Sequence, residues 1–178
     1  IPHLADNSGA SQYWVRSSAM GPLNGAMLHL SYGRPALFRV LLQETSHGLQ
    51  GGVVQLPTDI AIPILQATTN PKDGAVYLCG FQVYGSNARK IAGIGRLRYR
   101  GEPEPALTGL SAFEEGIRLR FNTPLDPGSA TDILNYDIQR WNYRRTDRYG
   151  SPHYRLDGTE GQDRLGIADI WLSPDRQT

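Results

Sequence analysis

Apolar and polar residues alternate between positions 117 and 122. Ile117, Leu119 and Phe121 are separated by polar side chains, which is the period of two expected for a strand with one buried face. The two prolines and the glycine of residues 124–128 end this strand, because proline donates no ladder hydrogen bond and glycine tolerates turn geometry. Ser129-Ala130 and residues 135–141 follow. The region predicts a strand, a turn, a short helical turn and a second strand.

Residues 1–101 contain short apolar runs separated by turn-forming clusters such as Asn70-Pro-Lys-Asp-Gly74. No run shows a sustained helical period, and the regular spacing favours an antiparallel sandwich, barrel or propeller. The fold is therefore predicted to be all-β. The predicted strands are residues 26–30, 37–43, 52–56, 61–66, 75–80 and 93–99.

A linker is predicted at Gly101-Glu-Pro-Glu-Pro105, where two X-Pro pairs favour extended backbone. The chain is thereby divided into regions 1–101 and 106–178. The second region is predicted to place Ile117, Leu119, Phe121, Ile138 and Leu165 inside an antiparallel sandwich that spans residues 107–173.

Composition removes several classes of function. The 178 residues carry a net charge of +1, which disfavours nucleic-acid binding. No run approaches the roughly 20 apolar residues of a membrane-spanning helix. The single Cys79 excludes an intrachain disulfide and a Cys-x-x-Cys-His haem motif, and we expect it to be a small buried residue of a strand.

Candidate catalytic groups do not cluster in the sequence. Four histidines, at 3, 29, 47 and 153, lie without a nucleophile motif or metal-ligand spacing, and His29 is interpreted as a hydrogen-bonded strand residue. Glycines at 48–52 and 93–95 lack the helix that a phosphate-binding loop opens. We therefore predict no catalytic, cofactor-binding or metal-binding residue, and no activity in this chain alone.

Arginines and aromatic residues are interleaved between positions 140 and 155. One interpretation is an ordinary strand and loop whose arginines are solvated and partly neutralised by nearby acidic residues. The other is a contact surface, which could stack bases and hold phosphates, bind carbohydrate, or bind a protein partner, since Trp, Tyr and Arg dominate interface energetics. The predicted partner-binding residues are Trp141, Tyr143, Arg144, Arg145 and Tyr149.

Three motifs, at residues 50–57, 70–80 and 94–101, resemble the closing blades of a glucose/sorbosone dehydrogenase-like β-propeller. The resemblance spans residues 1–101. The bacterial immunoglobulin-like domain that follows such propellers is resembled by residues 117–126, 129–130, 135–136, 141–143, 163–168 and 172–175. The resemblance thus implies a propeller-like or sandwich region at 1–101 and an immunoglobulin-like β-sandwich at 106–178. The resemblance also leads us to expect that this domain stops at Thr178 before its last strands, so that either the remainder is missing or a neighbouring chain supplies the pairing.

Such propellers occur in large secreted bacterial proteins that carry c-type haem domains. The resemblance implies a periplasmic or extracellular location and a non-catalytic structural or interaction module within a larger redox or electron-transfer assembly. Any haem or quinone then lies on a partner, such as a c-type cytochrome, or on a missing domain. Ile1, with no preceding Met, is expected to start a processed or internal piece. The alternatives are a fragment of a quinone-dependent sugar or alcohol dehydrogenase, and a carbohydrate- or surface-binding β-sandwich.

Overall fold

The structure, a computed structural model, describes residues 1, 5–101, 105–145, 147 and 150–178. The described part of the chain is mostly β, as the sequence predicts, and its strands form four separate antiparallel sheets. The strands are β1 (Gly9–Trp14), β2 (Met27–Ser31), β3 (Ala36–Thr45), β4 (Gly48–Gln55), β5 (Gln66–Thr69), β6 (Val76–Phe81), β7 (Ala92–Leu97), β8 (Leu107–Ala112), β9 (Ile117–Phe121), β10 (Ile138–Arg140) and β11 (Asp163–Leu165). A 3-10 helix at Ser18–Leu23, the short helix α1 (Pro127–Ala130) and a 3-10 helix at Ile133–Asn135 complete the elements.

The contacts divide the chain into two compact units, Ile1–Thr123 and Pro124–Thr178. The hairpin β8-β9 belongs to the first unit, where Leu110 faces Gly52 of β4 and the backbone N–H of Ala112 donates to Gln43 Oε1. The hairpin β8-β9 therefore belongs to the first unit, and β10 and β11 belong to the second. The predicted boundary at residues 101–105 instead assigns all four of these strands to the region 106–178. The predicted domain limits stay a prediction.

The core of the first unit lies between the sheet β1-β2-β3-β4 and the sheet β5-β6-β7. Alternate residues of β2 and β6, such as Leu28, Leu30, Val76 and Leu78, are almost completely buried. Aliphatic burial of this kind stabilises by about 25 cal/mol per Å² of apolar surface removed from water. The buried cluster consists of Val15, Met20, Leu28, Leu30, Leu37, Ile64, Val76 and Leu78.

The buried Tyr32 connects the end of β2 to the loop that follows β6. Its hydroxyl donates to the carbonyl of Tyr84 at 2.7 Å and accepts from the backbone N–H groups of Val83 and Tyr84 at 2.7 and 2.9 Å. The rings of Tyr32 and Tyr84 also pack 4.6 Å apart. Because three backbone groups depend on one hydroxyl, Tyr32 fixes the position of residues 83 and 84 relative to the core.

The predicted strand at 61–66 is wrong. Residues 61–65 form no strand, and β5 begins only at Gln66, because Pro63 has no backbone N–H to give to a ladder. The segment nevertheless enters the core, since Ile62 and Ile64 are buried. Its backbone lies so close to β6 that a Cβ at Gly80 would overlap the carbonyl oxygen of Pro63.

The predicted inward position of Ile117 is also wrong. Its side chain is 52% exposed, because it pairs with Ala112 beside the turn of the two-stranded hairpin β8-β9. The side chains of Leu119, Phe121, Ile138 and Leu165 are half-buried.

The helical turn that the sequence predicts after β9 is confirmed as α1. The backbone N–H of Ser129 donates to Asp126 Oδ1 at 2.9 Å, which caps the helix. This hydrogen bond, followed by that from the Ser129 hydroxyl, holds the pKa of Asp126 below its usual range. A charged aspartate is therefore part of the native turn at neutral pH.

We predict that Gly80→Ala lowers the free energy of unfolding by about 2 kcal/mol, because the new methyl group forces the Pro63 backbone away from β6. Gly85→Ala is the matched control, since no atom lies within 4 Å of a Cβ built there. Urea unfolding of both variants measures the difference. Equal stability of the two variants would show that residues 63 and 80 are not in close approach.

Candidate functional site

The sheet β5-β6-β7 buries one face and exposes the other. Val76, Leu78 and Gly80 of β6 are buried, whereas the alternating residues Cys79 and Phe81 are exposed. We call the exposed side the outer face. It consists of Gln66 and Thr68 of β5, Tyr77, Cys79 and Phe81 of β6, and Ala92, Ile94 and Arg96 of β7.

Cys79 corrects the sequence prediction, since its thiol is exposed rather than buried. The apolar run Ala75-Val-Tyr-Leu-Cys79 concealed the period of two, in which Val76 and Leu78 fill the core and position 79 points outward. Cys79 pairs across the ladder with Ile94, whose side chain is 78% exposed. Phe81, which is 58% exposed, continues the apolar part of the outer face.

One end of the outer face is polar. The Asp73 carboxylate accepts hydrogen bonds from the backbone N–H of Ala75 at 3.1 Å and from the Tyr77 hydroxyl at 2.9 Å. Its Oδ2 also lies 3.7 Å from Arg96 Nη1. The Ala75 hydrogen bond, with smaller contributions from Tyr77 and Arg96, lowers the pKa of Asp73. The outer face is thus an apolar centre bordered by a polar, charged end, a composition that marks interaction surfaces.

His29 lies in a hydrogen-bonded cluster, as the sequence interpretation expects. Its Nε2 lies 2.7 Å from Asp6 Oδ2 and its Nδ1 lies 3.1 Å from Gln12 Nε2. Both ring nitrogens are therefore engaged, and the cluster joins Asp6 to β1 and β2. A general base needs a free nitrogen aimed at a substrate or nucleophile, which this arrangement does not supply.

Two other polar features of the first unit lack a catalytic arrangement. A depression of about 350 Å³ is lined by Arg34, Asp59 and Arg89 among others, and its Arg89–Asp59 ion pair is solvent-exposed. Arg39 on β3 lies across from Leu28 and Val54, and burial lowers the pKa of its guanidinium. Neither feature brings an acid, a base and a nucleophile together.

Within the described ranges, no group of three or more His, Cys, Asp or Glu side chains is arranged to hold a metal ion. In the same part of the chain, no helix has the length and apolar character needed to cross a membrane.

The predicted partner-binding residues divide into two kinds. Trp141 is half-buried and stacks on His153 with ring centres 4.5 Å apart. Arg144 lies over the ring of Tyr154 at 4.3 Å and donates to the Gly158 carbonyl at 3.0 Å. These two side chains therefore organise the second unit itself.

Tyr143 and Arg145 are exposed, with Tyr143 at 80%. Tyr149 lies outside the described residues. The contact of these residues with a partner stays a prediction. The sequence does not reveal the outer face directly, because the apolar run at residues 75–79 hides the strand period of two that continues to Phe81.

Comparison with known proteins gives no match: no family model, no curated protein and no solved structure resembles this chain at a significant level.

We predict that Tyr143→Ala combined with Arg145→Ala weakens association with the isolated partner by about 2 kcal/mol or more and leaves the fold intact. The reason is that both side chains are exposed and free to be buried by a partner. Calorimetric titration measures the affinity, and thermal unfolding measures the stability.

Trp141→Ala is the contrasting variant, because it removes the stacking on His153. It should destabilise the second unit by about 1 kcal/mol. Wild-type affinity of the Tyr143/Arg145 variant would contradict a partner contact at these residues.

Proposed function

We propose that this chain is a non-catalytic interaction module that joins a larger assembly by burying its outer face against a partner protein. The observation that carries the proposal is the exposed apolar centre formed by Cys79, Phe81 and Ile94. Cys79 and Ile94 pair directly across the β6-β7 ladder, and Phe81 lies two residues further along β6 on the same face, so a single partner surface can cover them.

Folding leaves much of the apolar surface of the outer face exposed to water. A fully buried Phe or Ile side chain contributes about 1.5–3 kcal/mol relative to an exposed one. Phe81 and Ile94 remain more than half exposed, so most of this contribution is still available to association. The strands that present them are fixed by the core, so little backbone ordering opposes binding.

The state of His29 supports a module without chemistry of its own. Its ring nitrogens are engaged with Asp6 and Gln12, and these contacts serve to hold the N-terminal segment on the sheet. A structural role explains every described contact of this histidine.

The setting of the module is proposed from the resemblance of residues 1–101 to a secreted propeller. We place the module in a periplasmic or extracellular redox assembly, in which a partner carries any haem or quinone and a c-type cytochrome is a candidate partner. The outer face supports the protein contact, and the resemblance supports the redox context.

We predict that the double variant Phe81→Ser and Ile94→Ser lowers incorporation of the chain into its native assembly about tenfold or more. Both side chains lie outside the core, so the free energy of unfolding should change by less than about 1 kcal/mol. Incorporation is measured as the ratio of assembled to free tagged chain after size-exclusion chromatography.

Leu134→Ser provides the matched control, because Leu134 is 90% exposed in the second unit. Its incorporation should equal that of the wild type. If the double variant is incorporated like the wild type while remaining folded, the outer face is not the contact surface and the proposal fails.

A further inference from the structure

The strand β7 leaves one row of backbone groups open. It is the end strand of its sheet and pairs with β6 alone among the described strands. The backbone N–H of Gln82 donates to Ile91, which sets the alternation of the ladder. Residues 91, 93, 95 and 97 thus bond to β6, while the N–H and C=O groups of Ala92, Ile94 and Arg96 point to the open edge.

The open edge lacks the features that usually prevent pairing with another strand. β7 contains no proline, its register with β6 is regular, and its only charged residue is Arg96. Among the described residues, no backbone hydrogen bond joins Ala92, Ile94 or Arg96 to another segment, whereas the N–H of Lys90, just before the strand, donates to the carbonyl of Ala61 at 2.8 Å. An added strand would find three unpaired donor and acceptor sites in a straight register.

Charge along β7 specifies what kind of strand fits. Ala92, Ile94 and Arg96 of β7 lie on the outer face, and the basic residues Lys90 and Arg98 lie just outside the two ends of the strand. The centre is apolar and both ends are basic. Within the described residues, no carboxylate forms an ion pair with Lys90 or Arg98, and Arg96 has only the 3.7 Å contact to Asp73.

A second copy of the chain is a poor occupant of this edge. Antiparallel pairing centred on Ile94 would place Lys90 of one copy at the level of Arg98 of the other. Shifting the register by two residues in either direction places Lys90 at the level of Arg96 or Arg100 instead. Like charges directly opposite each other destabilise a strand pair, so the edge favours a chain of different sequence.

We propose that β7 binds an extended segment of a partner protein by strand addition, and that this segment is apolar opposite Ala92 and Ile94 and acidic opposite Lys90, Arg96 and Arg98. Main-chain hydrogen bonds at the open edge hold the segment, and the outer-face side chains select it. This inference rests on the proposed function, since it names the binding mode and partner chemistry of the same face.

The test uses a nine-residue peptide with blocked ends, in which glutamate, glutamate, valine, valine and glutamate, in that order, alternate with threonine. Paired antiparallel to β7, these five residues lie opposite positions 98, 96, 94, 92 and 90. A fluorophore on the single thiol of Cys79, one strand away from the edge, reports binding. We expect a saturable signal that weakens with added salt, and no signal from the peptide with lysine in place of glutamate.

Two variants of the full chain separate the backbone and charge contributions. Ile94→Pro removes an N–H that the ladder with β6 does not use, and it should weaken binding about fivefold or more. Lys90→Glu with Arg98→Glu should weaken binding about tenfold. The control Arg16→Glu reverses an exposed arginine on the loop after β1 and should leave the affinity unchanged.

Equal binding of the glutamate and lysine peptides, or full affinity of Ile94→Pro, would overturn strand addition by an acidic segment. A chain that forms dimers lost in Ile94→Pro would also overturn it, in favour of a second copy. Failure of strand addition can be distinguished from failure of the proposed function: if no peptide binds but Phe81→Ser with Ile94→Ser still blocks incorporation, the interaction module stands and strand addition falls.

Discussion

The structure of the first unit depends on a core to which the sheet β5-β6-β7 contributes side chains from only one of its two faces. Val76 and Leu78 of β6 join Leu28, Leu30 and Leu37 in this core, and the period of two in a strand then requires the next residues to face away. Cys79, Phe81 and Ile94 are exposed for this reason. The outer face is thus a direct consequence of the way the core is built.

The same packing makes the outer face a defined surface. Tyr32 anchors the residues that follow β6 through three hydrogen bonds, and the close approach of Pro63 to Gly80 fixes the strand itself. The Ser11 hydroxyl on β1 donates to the carbonyl of Leu65 and links the first sheet to the segment that leads into β5. A surface held in this way loses little conformational entropy on binding, which favours specific association. The open edge of β7 adds directional hydrogen bonding to that surface.

Local signals in the sequence predicted the elements that depend on local chemistry. The Asp73-Gly74 turn joins β5 to β6, where Gly74 has a φ of 69°, and the Asp126 cap starts α1. The sequence failed where distant segments decide the outcome. The apolar run at 75–79 does not reveal which residues meet the core, and residues 61–65 are buried as an irregular segment because a ladder cannot include Pro63. Trp141 and Arg144 have interface-type composition, yet their stacking partners lie ten or more residues away.

The strand β7 is hydrogen-bonded to β6 along one edge, and its other edge is open. Amide hydrogen exchange followed by NMR tests this arrangement directly, because each β7 residue directs its N–H either to β6 or to solvent. The account predicts slow exchange at Gly93, Gly95 and Leu97 and fast exchange at Ala92, Ile94 and Arg96 in the same strand. Uniformly slow exchange across all six amides would show that the edge is already covered and would contradict the account.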